Sequence, residues 1–81
     1  MEKQKASGKP YKMKDLIERT GLSRQVLHNY VVLGLIGEAG RTKGGHRYFH
    51  ESVFDRVALI RQMQEQGYTL QFLVEMFRYK P

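Results

Sequence analysis

The 81-residue sequence contains no cysteine. That excludes a disulfide framework, a cysteine-ligated zinc or iron–sulfur centre and a thiol nucleophile. The absence suits an ordinary reducing cytosol. Long apolar runs are missing too: mean hydropathy is −0.56, and nothing approaches the ~18 residues that suggest a membrane span. No apolar block follows the early lysines, so a secretory leader is not expected. The HExxH and GxSxG spacings of hydrolases do not occur, nor does the GK[ST] ending of a phosphate-binding loop. An enzyme is therefore not expected, and neither is a cofactor or a membrane partner. There is no internal repeat. A single domain this small must use nearly every apolar residue for packing, which leaves little for a deep substrate pocket.

What the chain has in excess is positive charge. Lys and Arg number 14 against 8 Asp and Glu, a formal balance of +6, and the pI is near 9.8. The excess is localised. Residues 1–14 carry Lys3, Lys5, Lys9, Lys12 and Lys14 against Glu2 alone, and residues 41–50 carry Arg41, Lys43 and Arg47 with no acid. Residues 15–40 balance at −1 and residues 51–81 at zero. Positive charge focused in this way suits a polyanion such as nucleic acid. A solvated tail beside a basic loop is the simpler alternative.

The polar stretch MEKQKASGKP reads as a flexible basic arm over residues 1–10, followed by one domain over residues 11–81. Met13, Leu16 and Ile17 sit at i, i+3, i+4 and predict a short amphipathic helix. Asp15 and Glu18 near its start complement the helix dipole, and Thr20-Gly21 stops it. Ser23 is the expected N-cap of a second helix from about Arg24 to Leu33, with Val26, Leu27, Tyr30 and Val31 apolar and Gly34 as its end. Helix, glycine-containing turn and capped helix form a helix-turn-helix pattern. Leu35 and Ile36 should plug the core. Ala39 to Phe49 predicts a two-stranded hairpin with its tip at Lys43 to His46, because Gly44-Gly45 marks a tight turn. A third helix is expected from about Glu51 to Gln66, with Val53, Val57, Ile60 and Met63 as its apolar stripe. Thr69 can cap a fourth, about Leu70 to Tyr79, in which Leu70, Leu73, Val74 and Phe77 follow helical spacing closely. Phe54, Phe72 and Met76 are also assigned to the core, although Phe72 and Met76 lie off that stripe and could face a partner.

Two groups of residues carry candidate chemistry. Ser23, Arg24, Gln25 and His28 lie at the start of the second helix, the end that enters the major groove in a helix-turn-helix. Arginine can bond guanine through two donors, and glutamine can do the same with adenine. Ser23 and the helix N-terminus can meet a phosphate. A capped, solvated surface helix would carry the same residues. The hairpin, Arg41 to Phe49, spaces its basic residues so that a twisted ribbon can lie along a phosphate backbone. Directly downstream of a helix-turn-helix, it reads as a DNA-contacting wing. A metal shared by His46 and His50 is not expected, since four strand residues span about 13 Å.

In order and separation these pieces resemble the DNA-binding domain of MerR-family bacterial transcription regulators. The resemblance rests on Met13-Lys14-Asp15-Leu16, Thr20-Gly21-Leu22-Ser23, Tyr30, Leu33-Gly34-Leu35-Ile36, Arg41-Thr42, Gly45-His46-Arg47-Tyr48-Phe49, Glu51 to Val53 and Gly67-Tyr68-Thr69-Leu70. It implies a mainly α, winged helix-turn-helix fold, with four helices, a small two-stranded wing and a following helix pair acting as a second wing. It also implies sequence-specific binding of double-stranded DNA for transcription regulation, in the cytoplasm at the nucleoid. Arg24 and Gln25 become base-contact candidates. Tyr30, Arg41, His46 and Arg47 become backbone-contact candidates, supported by Ser23 and Lys43.

Val26, His28, Asn29 and Val31 stand where the family usually carries Thr, Arg, an aromatic and Glu, and His46 replaces the usual wing aromatic. Imidazoles at His28 and His46 are expected to strengthen binding at lower pH, because protonation adds charge near neutrality. The family usually continues into a long dimerising helix and an effector-sensing domain, whereas four residues follow Phe77 in this sequence, as expected of either a truncated chain or a minimal protein without effector control. The expectation is no effector pocket and weak DNA binding by a lone copy, unless self-association or a protein partner links two. An excisionase-like protein that bends DNA, or a protein-interaction module on the same fold, are the alternatives.

Overall fold

The computed structural model describes residues 10–78. Its elements are β1 (Tyr11–Lys12), α1 (Met13–Thr20), α2 (Arg24–Val32), β2 (Gly40–Arg41), β3 (Arg47–Phe49), α3 (Ser52–Glu65) and α4 (Leu70–Arg78). The arm expected over residues 1–10 lies outside the described residues apart from Pro10, which is exposed. The expected helix end at Tyr79 lies outside them as well.

The turn between α1 and α2 is built from side chains that stop one helix and start the next. The Thr20 hydroxyl donates to the Leu16 carbonyl at 2.6 Å and accepts from the Leu22 N–H at 3.1 Å. Gly21 takes φ +78°, a left-handed conformation that residues with a Cβ adopt at a penalty. Ser23 then caps α2, its Oγ accepting the Val26 N–H at 3.2 Å. At the other end, the Gly34 N–H donates to the Val31 carbonyl and the Leu35 N–H to the Tyr30 carbonyl. These paired bonds with Gly34 at φ +82° make a Schellman cap. The cap turns Leu35 and Ile36 inward, where both are buried.

The sheet has three strands rather than the expected two. β1 pairs antiparallel with β3, Tyr11 opposite Phe49 and Lys12 opposite Tyr48. β2 pairs with β3 on the other side, Gly40 opposite Tyr48 and Arg41 opposite Arg47. The strand order is therefore β1-β3-β2. A two-residue strand is too short to show alternation, so Tyr11-Lys12 carries no local signal of its pairing.

The wing tip explains the double glycine. Thr42 donates its N–H to the His46 carbonyl at 2.9 Å, and the Gly45 N–H returns to the Thr42 carbonyl at 2.9 Å. The loop Lys43-Gly44-Gly45 is thus a tight turn ending in a left-handed residue, Gly45 at φ +85°, as three-residue hairpin loops require.

The core is apolar throughout: Leu16, Leu27, Tyr30, Leu35, Ile36, Phe49, Val53, Val57, Ile60 and Leu73. Phe49 brings the sheet into contact with the helices, and half-buried Leu70, Val74 and Phe77 complete the side covered by α4. Arg56 ties three parts together: its Nε donates to the Leu35 carbonyl at 2.9 Å, and its guanidinium lies 4.2 Å from the Phe77 ring centre. Phe54 packs edge-on to Tyr11 at 5.1 Å, under the Arg19 guanidinium. Two core assignments fail. Phe72 is 45% exposed and Met76 42%, because both fall off the stripe that α4 turns inward; Phe72 instead stacks on Tyr68 at 5.2 Å.

Candidate nucleic-acid interface

The start of α2, the β1–α1 junction and the wing meet around one open groove of about 930 Å³. Its walls are Lys12, Met13, Lys14, Arg24, Gln25, His28, Thr42, His46 and Arg47. Four of these are cations, two are imidazoles and none is an acid. Arg24 and Arg47, from segments far apart in the chain, thus border the same space. Lys12 and Lys14, which share the basic stretch of residues 1–14 with the arm lysines, belong to the folded wall beside α2. Lys12 is held there by the pairing of β1 with β3, which no local pattern marked, and Lys14 by the first turn of α1.

The geometry at α2 leaves its first turn accessible. Ser23, Arg24 and Gln25 are exposed and His28 is half-buried. The Gln25 Nε2 donates to Asn29 Oδ1 at 3.1 Å, which fixes the amide while leaving its carbonyl oxygen and second N–H available. Tyr30 has a different environment. It is 3% exposed, and its hydroxyl donates to Gln64 Oε1 at 3.1 Å. Burial pushes that hydroxyl above its ordinary value of 10.0, against the opposing charge of Arg61.

The wing holds its cations by another route. Glu38, in the loop before β2, accepts from the Arg41 Nε at 2.9 Å through Oε2, while its Oε1 lies 2.7 Å from the Arg47 Nε as an ion pair. The Arg41 hydrogen bond is the chief reason the Glu38 carboxyl sits below its ordinary 4.5; the charges of Arg41 and Arg47 act the same way, and desolvation opposes them. Glu38 was not among the residues singled out from sequence. Its only visible sign was its place in the −1 stretch, three residues before Arg41. Lys43 and His46 are exposed at the wing tip. Tyr48 lies across Gly40, where an added methyl would come within 2.5 Å of the Tyr48 hydroxyl oxygen. His50 does not converge with His46: its Nδ1 accepts the Ser52 N–H at the start of α3. Among the described residues no three His, Asp or Glu side chains gather as a metal set.

A helix-turn-helix whose second helix is flanked by a β-hairpin defines a winged helix-turn-helix domain. The comparisons agree. The family described as MerR HTH family regulatory protein matches residues 11–80. The mercuric resistance operon regulatory protein of Bacillus cereus is 35% identical over 60 residues, 74% of this chain and 46% of that protein. Nodulation protein NolA of Bradyrhizobium elkanii is 37% identical over 60 residues, 74% of this chain and 27% of NolA. The chain thus spans less than half the length of these relatives.

Among solved structures, MtaN, the N-terminus of the Bacillus subtilis multidrug transporter activator, superposes with TM-score 0.78 at 28% identity over 88% of this chain and 66% of that one. HiNmlR, a MerR family regulator lacking the sensor domain, shares the fold with TM-score 0.75 at 24% identity, over 84% of this chain and 54% of its own. The chain belongs to the MerR HTH family of regulatory proteins. No helix among the described residues is long and apolar enough to cross a membrane.

Proposed function

We propose that this chain binds double-stranded DNA in a sequence-specific way for transcription regulation, with α2 in the major groove and the wing on phosphates. The observation that carries the reading is the shared groove: Arg24 and Gln25 on the first turn of α2 border the same acid-free space as His46 and Arg47 of the wing. The HiNmlR structure was solved bound to promoter DNA, which supports DNA as the ligand for a chain of this fold.

The roles follow from chemistry and placement. Arg24 and Gln25 read base edges, since a guanidinium matches guanine and a carboxamide matches adenine. Asn29 holds the Gln25 amide for that contact. Lys12, Lys14, Arg41, Lys43, His46 and Arg47 grip phosphates, and His28 borders the same groove. Ser23 caps α2 and offers its exposed hydroxyl to a neighbouring phosphate. Tyr30 acts from the core, fixing α2 against α3 through Gln64.

The test is a titration of a labelled mixed-sequence duplex at rising salt, followed by selection of preferred sites from genomic fragments. Phosphate neutralisation releases counterions, so the logarithm of affinity should fall linearly with the logarithm of salt. Salt-independent affinity, or no sequence preference after selection, overturns the proposal. The exposed Tyr68–Phe72 stack and Met76 favour a second reading, a surface for a protein partner; such a partner would stay bound at salt that strips DNA.

A further inference from the structure

We infer that Glu38 is a positioning residue for DNA binding: one carboxylate braces Arg41 and Arg47 by their Nε atoms and presents both guanidiniums to adjoining phosphates. The inference rests on the DNA-binding reading above and adds to it a residue of the wrong sign for direct phosphate contact.

Three observations carry it. Arg41 and Arg47 are register partners across β2 and β3, so their side chains leave the same face of the wing. Glu38 reaches both, one carboxylate oxygen to each, at 2.9 Å and 2.7 Å. Both contacts use Nε. Among the described residues no hydrogen bond engages an Nη atom of either arginine, so the Nη groups remain as donors. An arginine fork can bond two oxygens at once; here the Arg41 Nε donates to Glu38, the Arg47 Nε pairs with it by charge, and the Nη donors remain for a ligand.

Bracing matters because a long side chain loses rotamer freedom when it is immobilised on binding. An arginine already fixed by Glu38 has lost that freedom before DNA arrives. The opposing effect is repulsion between the carboxylate and phosphate. Each carboxylate oxygen already faces a cation, and solvent ions screen what remains at this half-exposed site. The two arginines and one acid keep a net positive charge, so the wing still attracts a backbone. Bracing and repulsion predict opposite signs when Glu38 is removed, which makes the inference decidable.

The experiment uses the full chain and a labelled mixed-sequence duplex, read by fluorescence anisotropy across a salt series, with folding checked by circular dichroism. Glu38→Ala should weaken binding about three- to tenfold and flatten the salt slope, although it makes the protein more positive. Glu38→Asp keeps the charge but shortens the reach, and should weaken binding too. In an Arg41→Ala/Arg47→Ala background, Glu38→Ala should have little further effect, because coupled groups fail to add. If Glu38→Ala does not fold, Glu38→Gln decides by the same readouts.

Tighter binding and a steeper slope for Glu38→Ala or Glu38→Gln, with Glu38→Asp unchanged, overturn the bracing role. Weakening by Arg47→Ala without any effect of Glu38 variants overturns it as well, and leaves the DNA reading standing. Indifference to both Arg24→Ala and Arg47→Ala overturns the DNA reading itself, and the inference with it.

Discussion

The second helix and the wing face one groove but present their cations by different means. Arg24 stands on an exposed helical turn with no acidic partner among the described residues, and its placement comes from backbone rules: the Ser23 cap, the Gly21 turn and the buried Leu27 and Tyr30 behind it. Arg41 and Arg47 lie on strands of two and three residues, too short to define side-chain position alone, and Glu38 supplies what the strands lack. The contrast teaches a division of labour. In the proposed DNA-binding mode, a side chain that selects among bases benefits from a rigid backbone and freedom at its tip, and one that holds a uniform phosphate benefits from being fixed in advance.

The largest test removes the link between the two regions. Phe49 on β3 is fully buried where the sheet meets the helices, and Phe49→Ala should lower stability by about 3–5 kcal/mol. Urea unfolding measures this. A loss confined to the wing, with α2 intact, would mean that the two regions fold independently.

The next test separates reading from gripping. Arg24→Ala should remove about 1–3 kcal/mol of discrimination between preferred and scrambled duplexes. Arg47→Ala should weaken all duplexes alike and reduce the salt slope by about 1. Equal behaviour of the two variants would erase the distinction between the regions.

Smaller effects sharpen it. Gly45→Ala forces a left-handed conformation on a residue with a Cβ and should destabilise by about 1–2 kcal/mol. At Gly44 a methyl would meet only the His46 ring and the Thr42 hydroxyl, at 3.8 Å or beyond, so Gly44→Ala should stay within about 0.5 kcal/mol. Thermal melts of the pair compare them directly. Ser23→Ala removes the cap of α2 and should cost about 1 kcal/mol, with the loss of protection at the Val26 amide in hydrogen exchange locating it.

The smallest expected effect is at acid pH. The Glu38 carboxyl titrates lower in the folded chain than its ordinary 4.5, first because Arg41 hydrogen-bonds it and then because of the arginine charges. The unfolded chain therefore binds the proton more readily. The contribution of Glu38 to stability is complete above 4.5 and fades as pH falls through the lower folded value. Melts below pH 4.5 should show that limb flattened in Glu38→Gln.

Most of the helical frame was legible because it is specified locally. Caps at Ser23 and Thr69, stops at Gly21, Gly34 and Gly67, and apolar spacing in α1, α3 and α4 each lie within a turn or two of what they determine. The features that escaped are long-range. β1 is two residues with a partner far along the chain. Lys12 looks like tail charge until that pairing places it beside α2. Glu38 looks like a minor acid in a near-neutral stretch until the hairpin brings Arg47 back beside it. Phe72 and Met76 show the limit of composition: their residue types favour burial, yet their angular position on α4 leaves them exposed. At the candidate site, Arg24, Gln25, His28, His46 and Arg47 come together in the groove, whereas Tyr30 is held in the core, where its hydroxyl meets Gln64.

The strand order β1-β3-β2 also sets a sequence of events during synthesis. The middle strand is the last of the three to leave the ribosome, so Tyr11 and Gly40 must both wait for a neighbour that does not yet exist. The helix pair α1–α2 is complete before then and can pack early. A nascent chain stopped just short of Arg47 would therefore carry the first turn of α2 without a finished wing beside it.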